Sequence, residues 1–295
     1  MTTIGFIGLG NMGAPMAVNL AKAGHDVLGF DLVPAACEHA RSAGIPIASD
    51  ANACVCGREI VITMLPAGRH VLDVFRTIVP AMTKGALVID CSTIDVDSAR
   101  TAHGLAQVAG LLSLDAPVSG GVAGATAATL TFMVGGSDAA FAPGEKILGA
   151  MGKRVVHCGP GGAGQAAKIC NNMLLGISMI GTCESFALAE KLGLDRQKLF
   201  DVISTSSGNC WSVSSYCPVP GVGPNSPADN DYKPGFAAAL MLKDLLLAQD
   251  AAGSVGAATP LGAAAASLYA EMVKDGEGDR DFSAMLPRLA HTARR

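Results

Sequence analysis

The chain has 295 residues, a net charge of −4, a 50% hydrophobic and only 16% charged composition, which supports one large core or two ordinary ones and excludes a disordered chain. No basic block or stripe is present, which argues against nucleic-acid binding. The mean hydropathy of +0.39 raises the question of a membrane span, but no window of 18 residues is continuously apolar, and the best run, Met173–Ile180, is short and runs into Glu184.

The chain opens with no basic leader region, so a cytoplasmic protein without a membrane partner is expected. The nine cysteines are scattered and odd in number; Cys54 and Cys56 form a C-x-C, but there is no C-x-x-C and no histidine at ligand spacing. Free thiols are expected, with no disulfide framework and no metal site.

The first half alternates strand-like and helical runs. Ile4–Ile7 reads as a strand, Ala14–Ala23 as a helix ended by Gly24, and Val27–Phe30 as a second strand closed by Asp31. Ile60–Met64, Ala86–Asp90, Leu130–Val134 and Arg154–His157 read as further strands, and Ala99–Gly110 as a helix. This alternation predicts an α/β fold with a parallel, doubly wound sheet of Rossmann type. From Gly164 to Leu192 there is no proline and no strand pattern; a helix of that length is near ~43 Å long at about 1.5 Å per residue. Gly193 stops it and Asp195 can cap the next helix. The domains are therefore set at 1–162 and 163–295, an N-terminal sheet domain and an all-α C-terminal domain joined by the long helix. Between Gly208 and Gly235 five prolines interrupt the helical pattern around the only tryptophan, Trp211. An irregular segment of that length is usually functional or mobile.

Gly8-Leu9-Gly10-Asn11-Met12-Gly13 is a G-x-G-x-x-G that follows a strand and opens a helix, the context that a dinucleotide site requires. Gly8 permits the tight turn, Gly10 lets the backbone approach a pyrophosphate, and Gly13 lets helix and sheet close up. The helix start offers N–H groups and partial positive charge to phosphates. Asp31, 18 residues after Gly13, can accept hydrogen bonds from the adenosine ribose and would repel a 2′-phosphate; NAD rather than NADP is the expected cofactor. Met64-Leu65-Pro66 and Thr93 stand at later strand ends, where ligands of open sheets sit, although Met64 and Leu65 read equally as core.

Hydride exchange with an alcohol carbon needs a group for the hydroxyl proton. No tyrosine has a lysine four residues on, the six histidines show no convincing His–Asp relay, and no metal-ligand set is visible. What remains is Lys168, with Asn172 at i+4 on the same helix face. Ile169, Cys170, Met173 and Leu174 surround it, and poor hydration lowers a lysine pKa toward acid–base use; a lysine snorkelling at a helix end is the competing reading. Ser119-Gly120-Gly121 can form a concave nest of N–H groups beside a hydroxyl, suited to a carboxylate; a plain Gly-rich turn fits as well.

Taken in order, G-L-G-N-M-G, Asp115-Ala116-Pro117-Val118-Ser119-Gly120-Gly121, G-x-G-x-x-x-K-x-x-x-N ending at Asn172, and Met241-Leu242-Lys243-Asp244-Leu245 make the chain resemble the β-hydroxyacid dehydrogenase family over nearly its whole length. The loop around Trp211 and Tyr216–Gly221, and Tyr232–Phe236 after it, are similar to the members that act on 3-hydroxyisobutyrate, an intermediate of valine breakdown. The resemblance implies Lys168 as general acid/base with Asn172 beside it, and Ser119, Gly120 and Gly121 on the substrate carboxylate. It also implies Trp211 and Phe236 on the substrate, Phe236 and Lys243 closing over the nicotinamide, and Met64, Leu65, Pro66 and Thr93 lining the cofactor. A small 3-hydroxy acid as substrate and a homodimer or homotetramer formed through the helical domain follow from it too. Relatives acting on tartronate, glyoxylate or succinate semialdehyde, a 6-phosphogluconate-type enzyme, and an idle NAD-binding protein are the alternatives. One departure is Ala128, where the family usually has glycine; if that position needs positive φ, alanine is strained by roughly 1–2 kcal/mol.

Overall fold

The computed structural model describes residues 1–292. They form two compact units, divided between Lys168 and Ile169.

The first unit is built on one sheet: β1 (Thr3–Ile7), β2 (Asp26–Phe30), β3 (Ile60–Thr63), β4 (Leu87–Asp90), β5 (Leu112–Asp115), β6 (Val118–Ser119), β7 (Leu130–Gly136) and β8 (Gly152–Gly159). The order β2-β1-β3-β4-β5 is parallel throughout. Along β1, β3 and β4 alternate residues feed two cores. Ile4, Phe6, Ile60, Ile62, Leu87 and Ile89 fill one face. Ile7, Val61 and Val88 fill the other. Burial on both faces is why these strands read as continuous apolar runs. The expected all-parallel sheet is corrected at its far edge. β7 runs antiparallel to β5 and β6 and pairs in parallel with β8. A run such as Leu130–Val134 carries no mark of its direction. The direction in which strands are added to the sheet reverses at β1, because β2 lies on one side of β1 and β3 on the other. Such a switch point opens a crevice at the strands' carboxyl ends.

The second unit is helical, and among its described residues no strand occurs, only an isolated bridge between Ala237 and Asp281. The long helix Ala163–Lys191 runs into it and sends Met179, Ile180, Cys183 and Phe186 into a core shared with Met241, Leu245, Tyr269 and Phe282. By length and composition alone this helix could cross a membrane, but those residues make it a core helix. Asp195 caps the next helix, Arg196–Ser204, through the Lys198 N–H, as its side chain and position imply.

The Pro-rich segment is irregular yet tightly tied. Asp229 accepts from the N–H groups of Gly221 and Ser226 at 2.6 and 2.9 Å. Ser226 Oγ donates to Cys217 O, and Tyr232 Oη to Pro218 O. Cys217, Val219, Val222 and Tyr232 are buried beneath.

Candidate active site

The glycine loop follows β1. Gly8 has a φ of 95°, and a Cβ there would lie 2.2 Å from Met64 O, so no side chain fits between the ends of β1 and β3. A Cβ on Gly13 would lie 1.8 Å from Gly8 O, which ties the helix Gly13–Lys22 close under the loop. Gly10 is different. A Cβ there meets no atom of the described residues within 4 Å, and its φ is outside the left-handed region. The fold itself does not need this glycine; a ligand's close approach is the use left for it, and a pyrophosphate fits. The Asp31 carboxylate accepts from the Leu9 N–H at 2.7 Å and the Val33 N–H at 2.8 Å. It is thus oriented at the end of β2 while keeping lone pairs for ribose hydroxyls. Leu32, beside it, is exposed.

The ends of β3 and β4 are locked together. Leu65 N donates to Ser92 Oγ (2.8 Å), Ser92 Oγ donates to Asp90 Oδ1 (2.6 Å), and Thr63 Oγ1 donates to the same oxygen (2.7 Å). This fixes the backbone that carries Met64, Leu65 and Pro66 against that carrying Thr93. Asp90 is buried, its second oxygen has no hydrogen-bond partner among the described residues, and burial pushes its pKa up to about 6 against the hydrogen bonds that favour the anion.

Lys168 is buried, with 7% of its surface exposed, although Cys170 and Leu174 of its expected apolar shield face solvent. The turn before it is anchored by Asp115, whose Oδ1 accepts from Gly162 N (2.8 Å) and Oδ2 from Gln165 N (2.9 Å). His103 adds a contact from Nε2 to Asp115 Oδ1 at 2.9 Å and from Nδ1 to Ser113 Oγ at 2.6 Å. A His–Asp pair thus exists where none was expected from sequence. It buttresses the helix start, and it was hidden because the two residues sit on a helix and on the adjoining strand.

Ser119 ends β6, and Gly120 and Gly121 follow at φ 134° and 61°, a sharp turn closed to larger residues. The short helix Gly121–Thr126 then ends in a Schellman motif: Thr129 N donates to Gly124 O at 2.9 Å while Ala128 takes φ 54°. The position does require the left-handed region, so alanine there is strained.

In the second unit, Asn172 is 2% exposed and its Nδ2 donates to Asp244 Oδ2. Lys243 Nζ stands 4.0 Å from Asp244 Oδ1. Trp211, half exposed, stacks on Tyr216 at 4.8 Å, and Tyr216 and Phe236 both pack on Phe282. A single buried oxygen, Asp281 Oδ2, accepts from Tyr216 Oη and from the N–H groups of Gly235 and Phe236 at 2.8 to 3.0 Å. Burial and the neighbouring Asp281 charge raise the Tyr216 pKa, so its hydroxyl stays a donor. Asp115, Gln165, Asp244 and Asp281 were given no role from sequence. Asp115, Gln165 and Asp244 lie inside motifs that could have pointed to them; Asp281 lies in none.

Residues 3–159 match the model of the NAD binding domain of 6-phosphogluconate dehydrogenase, and residues 162–289 that of the NAD-binding domain of NADP-dependent 3-hydroxyisobutyrate dehydrogenase. A probable 3-hydroxyisobutyrate dehydrogenase of Mycobacterium tuberculosis is 52% identical over 289 residues, covering 98% of both chains. An NAD-dependent L-serine dehydrogenase of Pseudomonas aeruginosa is 49% identical over 286 residues, covering 96% of each. The solved structure of the M. tuberculosis 3-hydroxyisobutyrate dehydrogenase with L-serine superposes with a TM-score of 0.95 at 52% identity, over the full length of both chains.

Proposed function

This chain belongs to the β-hydroxyacid dehydrogenase family of NAD-dependent oxidoreductases, and on that premise we propose that it oxidises 3-hydroxyisobutyrate to methylmalonate semialdehyde in valine breakdown. NAD, when bound, supplies the acceptor for the hydride of the hydroxyl-bearing carbon. Gly8 to Gly13 and Asp31 hold its pyrophosphate and ribose, and Met64, Leu65, Pro66 and Thr93 line it. Ser119, Gly120 and Gly121 hold the substrate carboxylate. Lys168 takes the hydroxyl proton through its amine, with Asn172 orienting the amine or the hydroxyl. Phe236 and Lys243 cover the reacting end, and Trp211 contributes to substrate choice. The protein works in the cytoplasm as a homodimer or homotetramer associated through its helical unit.

The observation that carries this reading is the burial of Lys168. It stands four residues before the buried Asn172, on the same face of the helix. A second reading, L-serine as substrate, is favoured by the L-serine dehydrogenase relative and by the relative's structure with L-serine. L-serine has the same 3-hydroxy acid frame with an amino group at C2. NADH formation with 3-hydroxyisobutyrate, 3-hydroxypropionate, L-serine and glycerate ranks the substrates. Lys168→Ala should lower kcat by about 10²- to 10⁴-fold. Near-normal turnover in that variant with intact NAD binding would discard the role of Lys168.

A further inference from the structure

Gln165 has no exposed surface, and a buried primary amide costs stability unless its donors and acceptor are met. Here the oxygen and one N–H are met by backbone. Its Oε1 accepts from Ile94 N at 3.1 Å, and its Nε2 donates to Ser92 O at 2.7 Å. The amide thus clips a three-residue segment at both ends, and the residue between the two contacts is Thr93. Its own backbone is held independently, since Gln165 N donates to Asp115 Oδ2.

The start of the long helix has no slack elsewhere. A Cβ on Gly164 would lie 2.3 Å from Met133 O and 2.7 Å from Asp115 O, and one on Gly161 would lie 2.8 Å from the His103 ring. The helix is therefore seated on the end of β5 and on the middle of β7 by close backbone approach. The Gln165 side chain ties the Ser92–Ile94 segment to the helix. Lys168 follows Gln165 by three residues, so the two neighbour each other on the helix surface.

We propose that Gln165 is a positioning residue: its amide fixes the distance between the Lys168 amine and the Thr93 segment that lines the cofactor, acting through both rather than on the substrate. This rests on the reading of Lys168 as the acid–base group. Displacement of one wall by an ångström is enough to lower turnover on the order of a hundredfold.

The test uses Gln165→Leu, Gln165→Glu, Lys168→Ala and the double variant Gln165→Leu/Lys168→Ala, each as the full-length protein. NAD affinity is read by calorimetry, and kcat and KM by NADH absorbance. Gln165→Leu should lower kcat roughly 10- to 100-fold while the substrate KM changes less than about threefold. In the Lys168→Ala background the same change should cost less than about twofold, because two residues acting as one unit are non-additive. Gln165→Glu has the right shape but, ionised, sets a carboxylate against Ser92 O. Protonated, it restores both the donor and the acceptor. Its kcat, relative to wild type, should rise as pH falls from 8 to 5.5, and this arm holds even if the leucine variant does not fold. Wild-type kcat in Gln165→Leu, or a full additive loss in the double variant, overturns the positioning role while leaving Lys168 in place. Normal turnover in Lys168→Ala overturns both.

Discussion

Asn172 Nδ2 donates to Asp244 Oδ2 at 2.5 Å, between two residues 72 positions apart in the chain that are 2% and 4% exposed. The bond sets the flip of the Asn172 amide, whose oxygen then accepts from Asn171 Nδ2 at 2.9 Å. A neutral amide held by a carboxylate presents its oxygen in a constant direction, as a group that orients an amine or a hydroxyl must. Losing a hydrogen bond to a charged group costs about 1.5–3 kcal/mol. Asp244→Ala is therefore expected to reduce kcat by about 10- to 100-fold with NAD affinity little changed. Asp244→Asn, which can still offer an oxygen to Asn172, should recover much of the loss. Equal defects in both variants would show that the Asp244 charge matters for some other reason than the Asn172 amide.

Asp90 makes stability depend on pH. Burial raises its pKa from 3.8 to about 6, so folding favours the protonated form. Its contribution to stability is fully present below pH 3.8 and is lost as pH rises through about 6. The difference, near 2 pKa units, corresponds to about 3 kcal/mol. Asp90→Asn keeps an oxygen for Thr63 and Ser92 and removes the ionisation. Urea unfolding of both proteins from pH 4 to 8 should show the variant gaining on the wild type by up to that amount, mostly between pH 4 and 6. A difference that stays constant over this range would mean that Asp90 is ionised in the fold at no extra cost.

How far the sequence could be read follows from the range of the interactions involved. The glycine loop, its strand and helix, Asp31, the long helix and the Asp195 cap are local: each depends on residues within one element or its flank, and each stands where the pattern put it. The reversal of β7 depends on which strand it pairs with, and apolar residues pair in either direction. The contact of His103 with Asp115 joins a helix to the next strand across a turn, and the Gln165 clip and the Asp281 hub join elements distant in the chain. No spacing rule encodes such contacts, because the intervening turns decide which residues meet. Ala128 shows the intermediate case. Its helix end is local enough to raise the question of positive φ, but only the Thr129 to Gly124 bond answers it.

Gly10 and Gly13 are alike in the motif and opposite in physical role, which separates ligand binding from folding within a single loop. At Gly13 a methyl group would sit 1.8 Å from Gly8 O, far inside contact distance, and the atom it meets is backbone that cannot swing away. Gly13→Ala should therefore destabilise the protein by several kcal/mol, on the order of the larger strain and overpacking effects, and lower its melting temperature with or without NAD. At Gly10 the methyl meets nothing of the described residues within 4 Å, and φ is ordinary for an L residue. Replacing glycine at such a place even removes freedom from the unfolded chain, worth about 0.4–1 kcal/mol. Gly10→Ala is thus expected to melt at or slightly above the wild-type temperature without cofactor, yet to bind NAD at least about tenfold more weakly, because the methyl occupies the space into which a pyrophosphate would come. Calorimetric titration with NAD and thermal melts of both apo variants give the two readings. If Gly10→Ala binds NAD as tightly as the wild type, the pyrophosphate does not pass over Gly10, and the assignment of this loop to the phosphates has to be moved.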